Sequence, residues 1–131
     1  MILGIGTDIV KTQRIGDLYS KYGDKLLKKM LHNKEMEVFC NLSDAKKNNY
    51  LAKRFSAKEA FVKSVGTGFN DKIFLRDICI INDKLGKPHY DISSDLDEYI
   101  KDVFKVKSYK IHLSISDDAD YAVSLSIIET V

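Results

Sequence analysis

The sequence predicts an α+β fold, and three observations carry that prediction. Apolar residues recur at helical spacing through most of the N-terminal half and switch to strand-like alternation in the C-terminal half. Two alternating runs near the C-terminus flank a short polar connection, which is a hairpin signal. At 131 residues the chain fits one domain, residues 1–131, able to build a core without staples.

The first element is a strand from Ile2 to Val10, where Ile5, Ile9 and Val10 are β-branched and no helical period is present. Thr12 is placed to cap a helix over Gln13 to Tyr22, with Ile15, Leu18, Tyr19 and Tyr22 on one side. Gly23 punctuates it. A short helix follows from Asp24 to Leu31. Asn33 is the expected cap of a third, over Lys34 to Cys40. Ser43 or Asp44 starts a long helix that ends near Val65, along which Tyr50, Leu51, Phe55, Val62 and Val65 recur at helical spacing.

The period then changes. Ile73 to Ile81 is strand-like, and Lys84-Leu85-Gly86-Lys87-Pro88 is a turn feeding a strand through Ile92. Ser94 or Asp95 is the expected cap of a helix to Phe104. Two strands, Tyr109 to Ser116 and Tyr121 to Ile128, are joined by Asp117-Asp118-Ala119-Asp120. In the first, Ile111, Leu113 and Ile115 alternate with His112, Ser114 and Ser116. In the second, Tyr121, Val123, Leu125 and Ile127 alternate with Ser124 and Ser126. The hairpin is expected to carry a hydroxyl-lined face, and small polar side chains there admit close packing of a subunit or a ligand.

Composition excludes several classes. The 44% hydrophobic and 31% charged fractions are those of a globular domain, and no run approaches a transmembrane span. The opening Met1-Ile2-Leu3-Gly4-Ile5-Gly6-Thr7-Asp8 lacks a basic leader, and Asp8 breaks its apolar stretch, so no signal peptide is expected. Cys40 and Cys79 make no disulfide framework, so buried reduced thiols and a cytoplasmic location are the expectation. Charge is uneven: Lys11 to Lys63 holds 13 Lys and Arg against 6 Asp and Glu, whereas Ser64 to Val131 holds 8 against 12. The N-terminal half is therefore a candidate surface for an acidic partner: a nucleic acid, an acidic protein or a phosphorylated small molecule.

The segment richest in chemistry runs Arg54-Phe55-Ser56-Ala57-Lys58-Glu59-Ala60-Phe61-Val62-Lys63 and then Gly66-Thr67-Gly68. A helix here puts Glu59 and Lys63 one turn apart on one side. A carboxylate holds a hard cation, a lysine neutralises phosphate, and a glycine loop lets backbone N–H groups approach an anion. The same residues also fit a Ser56-x-x-Glu59 capping box and an i,i+4 ion pair worth about 0.3 kcal/mol. Asp8, two residues beyond Gly6, is the candidate partner of Glu59 in a two-carboxylate magnesium site. Arg54 suits bidentate phosphate contact. His32, His89 and His112 lack metal-ligand spacing, no nucleophile elbow is present, and Gly66-Thr67-Gly68 is no Walker loop. These residues admit phosphate chemistry with a hard metal, such as that of a metal-dependent nucleotide phosphohydrolase using the same carboxylates, or a docking module without catalysis.

Taken in order, several motifs resemble the holo-acyl-carrier-protein synthases, the small trimeric phosphopantetheinyl transferases. They are Gly4-Ile5-Gly6-Thr7-Asp8-Ile9-Val10 with Arg14-Ile15, Arg54-Phe55 through Lys58-Glu59-Ala60 and Lys63 with Gly66-Thr67-Gly68, Gly86-Lys87-Pro88, and His112-Leu113-Ser114-Ile115-Ser116 with Tyr121-Ala122. The resemblance spans nearly the whole chain. It implies the phosphopantetheinyl transferase fold, an antiparallel sheet with a long helix packed on it, and a homotrimer with active sites between subunits. It implies transfer of 4′-phosphopantetheine from coenzyme A, the co-substrate, to a serine of apo acyl carrier protein in fatty acid biosynthesis, with Mg²⁺ as cofactor. By the same resemblance Asp8 and Glu59 are the metal ligands, and Asp8, Glu59 and Lys63 are the catalytic residues. Arg54, Lys58, Gly66, Thr67, Gly68 and Pro88 line the nucleotide site, and Arg14, Lys21 and Lys25 meet the acidic carrier protein. It implies no nucleic-acid partner and no membrane attachment. One position departs: Asp117 stands where the family usually has histidine directly after the Ser-Ile-Ser run, and a carboxylate there repels a coenzyme A phosphate unless it points away or is compensated.

Overall fold

The computed structural model describes residues 1–70 and 72–131. Among them the chain runs β1 (Ile2–Lys11), α1 (Thr12–Tyr22), α2 (Asp24–Met30), α3 (Asn33–Cys40), α4 (Asp44–Val65), a 3-10 turn (Leu75–Asp77), β2 (Ile78–Asn82), β3 (Pro88–Ile92), α5 (Ser94–Phe104), β4 (Tyr109–Asp117) and β5 (Tyr121–Thr130). The α+β expectation holds, with α4 packed on an antiparallel three-stranded sheet ordered β1-β5-β4, and β2 and β3 forming a separate hairpin. No described helix is long and apolar enough to cross a membrane.

Helix boundaries follow local chemistry that shifts the expected caps by one residue. His32, not Asn33, caps α3: its Nδ1 accepts from the Lys34 N–H at 3.1 Å, while Glu35 Oε1 accepts from the His32 N–H at 3.0 Å. Ser93, not Ser94 or Asp95, caps α5 by accepting from the Leu96 N–H. Thr12 is already helical, and its N–H donates to the Asp120 carbonyl. The strand expected from Ile73 starts only at Ile78, because the preceding backbone closes on itself in the 3-10 turn, where the Asp77 N–H donates to the Phe74 carbonyl. Gly66 ends α4 in the left-handed region at φ 87°, returning its N–H to the Val62 carbonyl.

The sheet inverts one expectation. In the β4–β5 register Leu113 stands opposite Ser126 and Ser114 opposite Leu125, so the hydroxyls of the two strands lie on opposite faces. Ser124 and Ser126 are buried against α4: Ser124 Oγ lies 2.9 Å from Ser56 Oγ, and Ser126 Oγ 3.0 Å from Ser64 Oγ. The close-packed surface met by the β5 hydroxyls is thus this chain's own helix. Small residues are required because the helix lies so near β1. A Cβ on Gly6 would fall 2.0 Å from the Ala60 carbonyl oxygen, and one on Gly4 1.9 Å from that of Ser64. The apolar side of β5 consequently faces outward with that of β1, leaving Ile5 57%, Ile9 64%, Tyr121 42% and Val123 41% exposed.

Two apolar clusters flank this seam. One gathers Ile15, Leu27, Met30, Phe39, Tyr50 and Leu51 around the first half of α4. The other gathers Phe61, Val65, Ile73, Ile78, Ile100 and Ile128 around its second half. Gripped on both sides, α4 is a rigid platform for the residues it carries.

Candidate active site

Asp8 leaves β1 on the face that meets α4, opposite Ser124. Continuity of α4 through residue 56 resolves the capping question: Ser56 is interior to the helix, and its Oγ donates to the Asp8 carbonyl at 3.2 Å. A hydroxyl that would otherwise cap a helix therefore ties α4 to the strand residue bearing the carboxylate. Lys63 Nζ lies 3.2 Å from Asp8 Oδ1 and donates to the Thr7 carbonyl at 2.9 Å. Glu59, one turn earlier on the same side, is half-buried. Burial raises its carboxyl above the usual range and the Asp8 charge adds to that, while Lys63 and Arg14 oppose it.

Asp8 Oδ2 is buried and has no hydrogen-bond partner among the described residues. An orphaned carboxylate oxygen, beside a second carboxyl that it destabilises, is a donor set in want of a cation. Among the described residues no group of three or more His, Cys, Asp and Glu side chains gathers to hold a metal. Two carboxylates fit a hard ion that completes its shell with water and phosphate oxygens, which is the habit of Mg²⁺.

The remaining predicted residues divide into separate places. Gly66 and Gly68 both adopt positive φ just beyond Lys63, and Thr67 Oγ1 lies 3.1 Å from Tyr99 Oη. Arg54 sits five residues before Glu59, hence about 140° away around the helix axis. It is turned toward the β2–β3 hairpin, where its Nη2 donates to Asn82 Oδ1 at 2.8 Å and its guanidinium lies 4.6 Å from the Tyr50 ring centroid. Pro88 pairs with Asn82 in the ladder and so belongs with Arg54. Within one chain, then, Asp8, Glu59 and Lys63 converge, while Arg54 and Pro88 form a second centre on another side of α4.

Lys58 is a correction. It is fully buried, with its ammonium donating to Glu35 Oε1 and to the Met30 carbonyl, both at 2.5 Å. Burial lowers its pKa, opposed by Glu35. Its helix side packs onto the end of α2 and the start of α3, so the ammonium does not reach a nucleotide. Arg14, Lys21 and Lys25 are exposed on α1 and α2. Arg14 lies over the Phe55 ring, and Lys25 lines a groove of about 520 Å³ with Leu18, Tyr22 and Leu26. Asp117 is held by Asn49, whose Nδ2 donates to Oδ2 at 2.9 Å, and no lysine pairs with it among the described residues. Glu35 and Asn82 are contributors that sequence reasoning passed over. An acidic residue among Met30, Leu31, Met36 and Phe39, on a helix with a buried side, was the available signal for Glu35.

Comparison with known proteins shows the family. The family described as the 4′-phosphopantetheinyl transferase superfamily matches residues 4–126. A holo-[acyl-carrier-protein] synthase of Wolbachia pipientis is 47% identical over 129 residues, covering 98% of both chains. The crystal structure of the Neisseria meningitidis holo-[acyl-carrier-protein] synthase superposes with a TM-score of 0.90 at 39% identity, over 99% of this chain and 100% of that one. The Bacillus anthracis enzyme, solved in complex with CoA (3′,5′-ADP), gives 0.83 at 33% identity over 100% and 99% of the two chains.

Proposed function

The chain belongs to the 4′-phosphopantetheinyl transferase superfamily, and from that premise we propose that it transfers 4′-phosphopantetheine from coenzyme A to a serine of apo acyl carrier protein, in the cytoplasm, for fatty acid biosynthesis. The observation that carries the reading is the end-to-end match to holo-[acyl-carrier-protein] synthases. The orphaned Asp8 oxygen beside Glu59 and Lys63 supports placing the chemistry at the β1–α4 seam.

In this reading Asp8 and Glu59 would hold Mg²⁺, which would supply charge neutralisation at the pyrophosphate. Lys63, anchored on the Thr7 carbonyl, places its ammonium against the charge that builds on the leaving phosphate. The carrier serine Oγ bonds to the phosphorus that bears pantetheine. The bond from that phosphorus to the bridging oxygen breaks, and the electron pair leaves with adenosine 3′,5′-bisphosphate. Glu59, on the same side of α4 as Lys63, is a candidate acceptor of the serine proton. Beyond the Gly66 cap, the loop offers the Thr67 and Gly68 backbone N–H groups to the nucleotide, and Arg54 and Pro88 line its other end.

Arg54 and the carboxylate pair lie on different sides of one α4, which supports a nucleotide bridging two subunits. The exposed Ile5, Ile9, Tyr121 and Val123 face supports a homotrimer formed through the sheet. Arg14, Lys21 and Lys25 form the docking face for the acidic carrier protein. Incubation with coenzyme A, Mg²⁺ and apo carrier protein tests the reading: a carrier mass gain equal to phosphopantetheine supports it. Coenzyme A consumed without carrier modification supports a phosphohydrolase instead.

A further inference from the structure

One carboxylate inside the molecule serves two cations. Glu35, at the third position of α3, is 1% exposed. Its Oε1 accepts from Lys58 Nζ and from the His32 N–H; its Oε2 accepts from the Ile80 N–H at 3.2 Å and stands 3.5 Å from Arg54 Nε. Arg54 is itself only 8% exposed along its side chain, and at 3.5 Å its Nε makes no hydrogen bond with Glu35. Two buried cations thus share one anion, and the deficit lies on the arginine, because the lysine holds the shorter contact. An ion removed from water costs stability unless it is paired. The arginine borders a cleft of about 430 Å³ that Lys34, Lys53 and Asn82 also line, with Lys34 paired to Asp91 at 2.7 Å.

Glu35 also governs the second partner of Arg54. Its bond to the Ile80 N–H fixes β2, and β2 ends at Asn82, whose Oδ1 accepts from Arg54 Nη2. A single carboxylate therefore sets the guanidinium directly and sets its other anchor through the hairpin, with the Tyr50 ring beneath. We propose that Glu35 is a positioning residue for nucleotide binding: it orients Arg54 toward a phosphate group of the nucleotide while leaving its charge under-compensated, so that the bound phosphate completes the site. This rests on the transferase reading above. Lys58 holds Glu35 in place from the other side and never meets the ligand.

The experiment compares wild type, Glu35→Gln, Arg54→Ala and the double variant, reading adenosine 3′,5′-bisphosphate binding by calorimetry and the separate KM values for coenzyme A and carrier protein. Glu35→Gln is expected to weaken bisphosphate binding and raise the coenzyme A KM about tenfold, the scale of losing one hydrogen bond between a misoriented guanidinium and the bound phosphate. The carrier-protein KM should stay unchanged and kcat within about threefold of wild type. Adding Glu35→Gln to Arg54→Ala should cost nothing further, because the first acts through the second. Lys58→Met in the Glu35→Gln background removes the orphaned buried cation and supplies a folded protein if the single variant unfolds; it should show the same coenzyme A defect. Additive losses, or a coenzyme A KM within twofold of wild type in a folded Glu35 variant, overturn the proposal. A wild-type chain that neither binds the bisphosphate nor modifies the carrier defeats the transferase reading itself, a result visible before any variant is made.

Discussion

Asp8 on β1 and Lys63 on α4 stand 3.2 Å apart, one carboxylate oxygen facing the ammonium and the other buried without a partner. In the proposed reading that half-satisfied pair is the chemical centre of the molecule. A fully paired carboxylate has nothing left for a metal, and an unpaired lysine here would not be held beside a phosphate.

Removing one carboxylate should separate stability from function. A carboxyl whose folded pKa is raised binds its proton more tightly folded than unfolded. Ionising Glu59 therefore costs folding stability above its ordinary pKa of 4.5 and nothing well below it. With a chelator at neutral pH, Glu59→Gln is expected to raise the melting temperature by about 2 °C, a gain that vanishes near pH 3.5. Carrier modification should fall at least ~100-fold, and added Mg²⁺ should stabilise wild type but not the variant. A melting temperature below wild type at neutral pH would contradict this account of Glu59.

Gly6→Ala tests the seam. The new Cβ would lie 2.0 Å from the Ala60 carbonyl oxygen and 2.5 Å from the Ser64 nitrogen, both backbone atoms of a helix packed on two cores. A loss of roughly 3 kcal/mol in urea unfolding is expected. A variant as stable as wild type would mean that α4 yields without cost.

Arg14→Glu should raise the carrier-protein KM about tenfold at low ionic strength and far less at ~0.5 M salt, because an exposed contact is screened. The coenzyme A KM is the internal control and should not move. Equal losses at all salt concentrations would argue for a packing role through Phe55, over whose ring the guanidinium lies.

Ile9→Asp tests assembly. Ile9 is 64% exposed on the outer sheet face, so a single chain accepts aspartate there at little cost. Light scattering should show wild type as a trimer and the variant as smaller species with little transfer activity. A variant that keeps the wild-type mass would remove the sheet face from the interface.

Asp117→His addresses the one departure from the family pattern. The carboxylate is held by Asn49 rather than by a lysine, so its charge is not neutralised by an ion pair. The substitution is expected to lower the coenzyme A KM severalfold. An unchanged or higher KM would show that position 117 faces away from the nucleotide.

The elements were legible because their signals are local. Helical spacing over Gln13 to Tyr22 and along α4, strand alternation over β4 and β5, and glycine punctuation at Gly23 and Gly66 each depend on residues a few positions apart. Caps were misplaced by one residue because Ser93 competes with neighbours of similar propensity and because His32 caps α3 through its ring nitrogen although Asn33 is the better cap former, a choice that only the path of the chain makes. The residue types of the candidate site were also legible, but carboxylate, lysine and glycine loop fitted a capped helix as well, and the family resemblance rather than their spacing pointed to phosphate and metal chemistry.

Which side chains meet was decided by tertiary structure alone. Alternation in β5 is symmetric between its two faces, and it was the approach of α4 to Gly4 and Gly6 that drew the serines inward and left the isoleucines of β1 outside. Lys58 and Glu59 are adjacent in sequence yet part company, because consecutive helix residues point about 100° apart: one faces the buried Glu35, the other the seam beside Asp8. By itself the sequence determined the elements and the family chemistry, through short-range pattern. The register and close packing, which act between residues distant in the chain, decided which oxygen of Asp8 is left free, which lysine is spent on the core, and which arginine stands over the cleft.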